Sequence, residues 1–158
     1  MEGGAAAGAL RPTPVRPASE TPVTARAVIV HNLAHARAAL SVAETLGVPV
    51  VLISAAGAAA YAGAGYFLEF TGRAMAEHPE AKARTVLDCG PEPGLALGAL
   101  SAGCPAIRYT GPRASRVKIA DIAARSGARV DNSRYRALDL FDAGDARTAC
   151  LEWLAKRR

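Results

Sequence analysis

Four short apolar runs, each ending in a small polar cluster, constrain this chain more than any other feature. They cover 25–32, 48–54, 85–90 and 105–111. Their ends are His31 and Asn32, Ser54, Asp88 with Cys89 and Gly90, and Thr110 with Gly111. Such runs do not alternate polar with apolar residues. A strand buried on both faces has that character, and strands of this kind belong to parallel sheets. Helix-like stretches follow three of the four runs directly. The expected fold is therefore α/β: a three-layer α/β/α sandwich with a mostly parallel sheet of about five strands, flavodoxin-like or Rossmann-like in architecture. Ligands in such sheets sit at the carboxyl ends of the strands, where the polar clusters fall.

The helices are read from period and punctuation. Leu33, Ala36, Ala39, Leu40, Ala43 and Leu46 repeat every three or four residues, as one buried helix face requires. Asn32 suits the N-cap, and Gly47 suits a left-handed close. Gly103 before Pro105 repeats the pattern of Gly47 before Pro49, and Gly127 closes a stretch at 112–126 in the same way. Repetition of helix, glycine and strand supports successive βα units. A helix is expected from Tyr66 to Glu77, stopped by His78 and Pro79, and another from Pro93. A weaker fifth strand is placed at 128–131. A last helix at 143–156 puts Ala146, Ala149, Cys150, Trp153 and Leu154 on one face, with Asp142 as its cap.

Residues 1–22 contain Pro12, Pro14, Pro17 and Pro22 and no apolar period, so a disordered tail is expected before a single α/β domain at 23–158. The first residues lack the continuous apolar core of a signal peptide. The stretch 45–68 carries no charge, but its glycines, alanines and Pro49 fit strand, loop and helix better than a membrane span. Cys89, Cys104 and Cys150 form an odd set without metal spacing. Free thiols in a reducing compartment, hence a cytoplasmic location, are the expectation. The net charge of +5 is scattered, with no basic run and no basic stripe with interleaved aromatics, so nucleic acid is not the expected partner.

Several motifs are missing. No G-x-G-x-x-G follows the first strand, where His31 to His35 stands instead, and no G-x-x-x-x-G-K-[ST] occurs. A phosphoacceptor site is incomplete. Asp88 and Thr110 stand where an acid and a hydroxyl would fall. However, His31 and Asn32 replace the acidic pair after strand one, and Val130 and Asp131 replace a lysine after strand five. His31 and His35 have the spacing of two metal ligands on a helix, with Asp88 a third by position, but His31 precedes the helix. The sequence names no cofactor and no metal.

What remains is a constellation at the strand ends. Asp88 closes a buried strand, where a carboxylate needs a partner or a function. It is a candidate acid or base, ligand contact, or cap. Cys89 beside it is a candidate nucleophile or a small buried hydrophobe. His31, Asn32, Ser54, Thr110, Gly111, Arg113 and Ser115 are candidate ligand contacts, and Asp131 and Asn132 extend the row. At the helix that opens after Gly111, Arg113, Arg116 and Lys118 replace the usual acidic residues. Free N–H groups, a glycine and nearby arginines make an anion site. The expected function is binding of a small phosphate- or carboxylate-bearing molecule at the strand ends, with lyase or aldolase chemistry as the enzymatic form. Whether chemistry occurs stays open. The alternative is a non-catalytic oligomeric scaffold or regulatory protein. It would act through the 55–70 segment, where Tyr61, Tyr66, Phe67 and Phe70 gather, and a homo-oligomer is expected.

Overall fold

The computed structural model describes residues 25–156. The expected tail at 1–22 lies outside the described residues. Twelve elements follow in order: β1 (Arg26–Ile29), α1 (Leu33–Leu46), β2 (Val50–Ile53), α2 (Ala58–Tyr61), α3 (Ala64–Glu77), β3 (Ala83–Asp88), α4 (Pro93–Ala102), β4 (Ala106–Arg108), α5 (Arg113–Arg125), β5 (Arg129–Val130), β6 (Ala137–Asp139) and α6 (Ala146–Leu154). The strands form one sheet in the order β5-β4-β3-β2-β1-β6. Every pairing is parallel. Strands and helices that alternate along the chain, with every strand parallel, give the Rossmann-like and flavodoxin-like α/β class.

Local chemistry explains the elements. Asn32 caps α1, its side chain accepting from the His35 N–H, and Gly47 closes the helix at φ 65°. Ala36, Ala39, Leu40 and Ala43 are buried as their spacing requires, while Leu46 stands half in solvent. Pro93 opens α4 and Gly103 closes it in the left-handed region. The small, uncharged stretch after β2 contains the short helix α2, and α3 starts at Ala64, two residues before Tyr66. The final helix starts at Ala146 rather than 143. Its cap is Asp145 rather than Asp142, because the Asp145 carboxylate accepts from the Thr148 N–H at 2.9 Å.

Each helix contributes side chains to one large core against one face of the sheet. Leu40, Phe67, Leu100, Ile119 and Leu154 meet Val28, Leu52, Leu87 and Ile107 there. The other face carries a smaller cluster of Ala25, Ala27, Val51, Ile53, Val86 and Ala106, with Tyr135 against it. The connection from β5 to β6 runs over that second face, since these strands occupy opposite edges of the sheet. Five strand spacings amount to about 24 Å. The seven Cα steps from Val130 to Ala137 span at most about 25 Å. The connection 131–136 is therefore a taut strap with no slack for a helix.

Side chains anchor the strap at both ends. Asp131 is buried and accepts from the Tyr135 hydroxyl at 2.7 Å and the Ser133 N–H at 3.1 Å. Asn132 continues the ladder beside β4: its amide donates to the Tyr109 carbonyl at 2.8 Å and accepts from the Tyr109 N–H at 3.1 Å. At the far end the Arg136 carbonyl accepts from the Ala27 N–H at 3.0 Å. Burial pushes the Asp131 carboxyl up. The Tyr135 hydroxyl, Ser133 and the Arg84 guanidinium outweigh burial and hold the carboxyl below its usual range.

Two measurements check this description. A carboxyl held low stabilises the fold above its unfolded pKa of about 3.9, and that stabilisation is lost as pH falls through its folded value. Asp131→Asn is therefore expected to be less stable than the parent chain at pH 7. In urea titrations the gap should close below about pH 4; a gap independent of pH would contradict the assignment. Gly98 lies inside α4 with open space around it, whereas a Cβ at Gly111 overlaps the ring and hydroxyl of buried Tyr109. Gly98→Ala should stabilise by about 0.5–1 kcal/mol. Gly111→Ala should destabilise by about 1–3 kcal/mol.

Candidate functional site

The sheet order lines up the carboxyl ends of β6, β1, β2, β3 and β4 along one edge. The expected site residues all belong to that edge and to the helix that follows it. They do not converge on one point, because neighbouring strands add about 4.8 Å each.

In the middle of the edge, Asp88 holds loops together. Its Oδ1 accepts from the Gly57 N–H at 3.0 Å and the Gly90 N–H at 2.9 Å. Both glycines are left-handed, at φ 67° and 57°, and pack against each other, so the turns after β2 and β3 close over one carboxylate. Ser54 belongs to the same mesh. Its Oγ accepts from the Asp88 N–H at 2.9 Å and donates to the Ala55 carbonyl. Cys89 faces the core, and burial pushes its thiol up to about 12. It carries no thiolate at neutral pH and lacks the activation a nucleophile needs.

The β4 end is organised by Tyr109, which was not among the expected site residues. Its ring is fully buried, and its hydroxyl donates to the Ser115 Oγ at 3.0 Å. Ser115 in turn donates to the Pro112 carbonyl. The space expected at Gly111 for a ligand is occupied by the Tyr109 ring and hydroxyl. Thr110 is exposed and its N–H donates to the Gly90 carbonyl. Arg113 is exposed on the first turn of α5. No sequence period separates Tyr109 from the other apolar residues of its run.

The β1–β6 end is different. The strand order turns back here, since β2 to β5 lie on one side of β1 and β6 on the other. The helices that follow these two strands, α1 and α6, pack together on the same face, so the loops after β1 and β6 do not diverge around a crevice as they do where helices leave to opposite faces. His31 follows β1, and its Nε2 lies 2.7 Å from the Oδ1 of Asp139, the last residue of β6. Burial works to raise the Asp139 carboxyl. Hydrogen bonds from His31 and the Phe141 N–H, with the His31 and His35 charges, hold it below its usual range. An ionised carboxylate only accepts, so the His31 Nε2 carries the hydrogen of this contact. His35 completes the corner. Its Nδ1 accepts from the His31 N–H at 3.2 Å, while its own N–H donates to Asn32. Burial, then the neighbouring His31 charge, lowers the His35 pKa, which keeps that acceptor free of a proton.

A pocket of about 40 Å³ opens beside His31, lined by Val30, Ser54, Tyr61, Tyr66 and Phe67 among others. It has room for about three waters and is mostly apolar. The Tyr66 hydroxyl donates to the His31 carbonyl at 3.3 Å, and Phe141 packs edge-on against the His31 ring. Of the expected residues, the structure brings His31 and Ser54 together at this pocket. Asp88 bonds to Ser54 but does not line the pocket, and Gly111, Arg113 and Ser115 lie beyond β4, in the loop after it and in α5. Asp139 is 108 residues from His31 in the chain. Its only local signal is an acidic residue in the alternation of Ala137, Leu138, Asp139 and Leu140.

No protein-family model matches this chain, and no curated protein matches it. Among the described residues no group of three His, Cys, Asp or Glu is placed to hold a metal ion. No described helix is long and apolar enough to cross a membrane.

Asp88 gives a direct check of the loop clamp. Asp88→Ala leaves two glycine N–H groups without their acceptor and should cost about 2–3 kcal/mol in urea unfolding. Asp88→Asn keeps an accepting oxygen and should stay within about 1 kcal/mol of the parent chain. Equal losses in both variants would contradict the clamp.

Proposed function

We propose that this protein binds a small anionic molecule at the carboxyl edge of its sheet and that His31 moves a proton on it. The observation that carries this reading is the 2.7 Å contact between His31 and Asp139 at the ends of β1 and β6, beside the pocket. Asp139 orients the imidazole, and the Nδ1 lone pair acts as base and then acid. Such a group serves lyase or aldolase chemistry, where a proton leaves or joins carbon next to a carbonyl. The amino terminus of α1 adjoins His31 and favours a phosphate or carboxylate group. Arg113 is three strands from β1, about 14 Å, and contributes by drawing anions to this edge. Asp88 and Cys89 are left out of the reacting set, the first as a loop clamp and the second as a core thiol. Free, buried Cys89, Cys104 and Cys150 fit a reducing, cytoplasmic setting.

A second reading rests on Tyr61 and Tyr66, which are 70% and 48% exposed. Aromatic side chains this open are what a subunit interface or scaffold surface would use.

Native mass spectrometry of the freshly purified chain, with thermal shifts over a panel of small phosphates and carboxylates, separates the two. The first reading expects a bound or stabilising small molecule whose effect falls at least tenfold in His31→Ala and Asp139→Asn. Binding unchanged in both variants, or absent in the parent chain, would overturn it. A ligand-free oligomer that dissociates on Tyr61→Asp would establish the scaffold instead.

A further inference from the structure

On the second face of the sheet, opposite the helices, three arginines gather under the strap. Arg84 comes from β3, Arg108 from β4 and Arg129 from β5. Alternation along the strands places all three on the face that carries Val51, Val86 and Ala106. Asp131 is the one carboxylate within ion-pair distance among the described residues, 3.5 Å from Arg84 and 3.6 Å from Arg129. Those distances exceed hydrogen-bond length. The Asp131 oxygens are occupied by Tyr135 and Ser133 instead. Arg84 donates one Nη to the Tyr135 hydroxyl, and Arg108 donates one to the Ser133 carbonyl at 2.7 Å. The Nε of Arg84 and the Nε and Nη2 of Arg129 are buried and meet no acceptor among the described residues. A buried guanidinium N–H without an acceptor is costly, and three arginines against one carboxylate leave a formal excess of two positive charges.

We propose that this cluster is a binding site for a phosphate group, held between Arg84 and Arg129 with Arg108 beside them. A phosphate dianion matches the excess charge and offers acceptors in the directions the planar guanidinium forks require. Arg84 is 12% exposed and forms the floor, while Arg129, at 37%, is the entrance. Arg134 and Arg136 are exposed on the strap above and add to the local field. The site is separate from the His31 pocket and does not depend on the reading given to that pocket.

Isothermal titration of the full chain with inorganic phosphate and with phenyl phosphate, against chloride at matched ionic strength, tests it. Saturable binding of one phosphate is expected, weakened at least tenfold by Arg129→Met and to a lesser degree by Arg129→Lys, which keeps the charge and loses the fork. Arg125→Met, which removes an exposed charge of α5, should bind as the parent does. Equal affinity for the two probes assigns free phosphate to the site, and tighter phenyl phosphate assigns an ester. Arg129 is exposed enough for its variants to fold; Arg108→Met gives a second check and should also weaken binding. No saturable binding beyond the effect of ionic strength would overturn the proposal. So would phosphate binding that survives Arg129→Met and disappears in His31→Ala.

Discussion

The strap at 131–136 is the constraint on which the rest depends. It leaves β5 at one edge of the sheet and must deliver β6 to the other edge. The distance is close to the full reach of the chain, so the path is nearly straight and conformational choice along it is small. Three consequences follow. Tyr135 is carried onto the second face, Asp131 is fixed beside β3 and β4, and Asp139 arrives opposite the end of β1. A longer connection would permit other positions for β6 at little extra entropic cost. A taut one specifies its landing point.

Most polar groups at the carboxyl edge satisfy backbone groups. Asn32 caps a helix, Ser54 and Asp88 fasten two loops, and Ser115 couples Tyr109 to the start of α5. Each such bond contributes about 1 kcal/mol, and up to about 3 kcal/mol when the acceptor is charged. Loss of the Asn32, Ser54 or Asp88 bonds leaves a backbone N–H unpaired, and loss of the Ser115 bond leaves the buried Tyr109 hydroxyl without its acceptor, so these residues are committed to structure. His31 stands apart. One ring nitrogen is engaged by Asp139, and the other meets no donor or acceptor among the described residues. His31 is thus oriented by one contact and open at its other nitrogen, whereas the Asp88 Oδ1 is filled by two backbone N–H groups.

The sequence makes some of this legible and hides the rest for physical reasons. β1 to β4 announce themselves because central parallel strands are apolar on both faces, and Gly47 and Gly103 mark helix ends because only glycine takes φ of 65° and 99° without strain. Asp139 is hidden because β6 is a three-residue strand that pairs, among the described residues, with β1 alone. An edge strand exposed on one side has no apolar run to show. Asp88 is visible as a buried acid, but its duty depends on where Gly57 and Gly90 place their N–H groups, which a linear reading does not provide. Gly111 reads as room for a ligand when the neighbour filling that room stands two residues away, in Tyr109. Arg84, Arg108 and Arg129 look scattered along the chain, and parallel pairing gathers them.

The alanines of the second face belong to the same argument. Ala25, Ala27 and Ala106 bury almost nothing each, and a sheet face meant to hold a helix layer would carry larger side chains. Here the covering layer is a single extended chain, so the sheet must let a backbone approach closely. A Leu at Ala27 or Ala106 would lift the strap by the thickness of a side chain. The longer path could then be met only by shortening β5 or β6, because the strap has no residues in reserve. Shortening β6 would withdraw Asp139 from His31, and shortening β5 would move Arg129 and Asp131. Small side chains on one face thus hold two charged sites in place on different sides of the molecule, through a connection whose length is set by the width of the sheet.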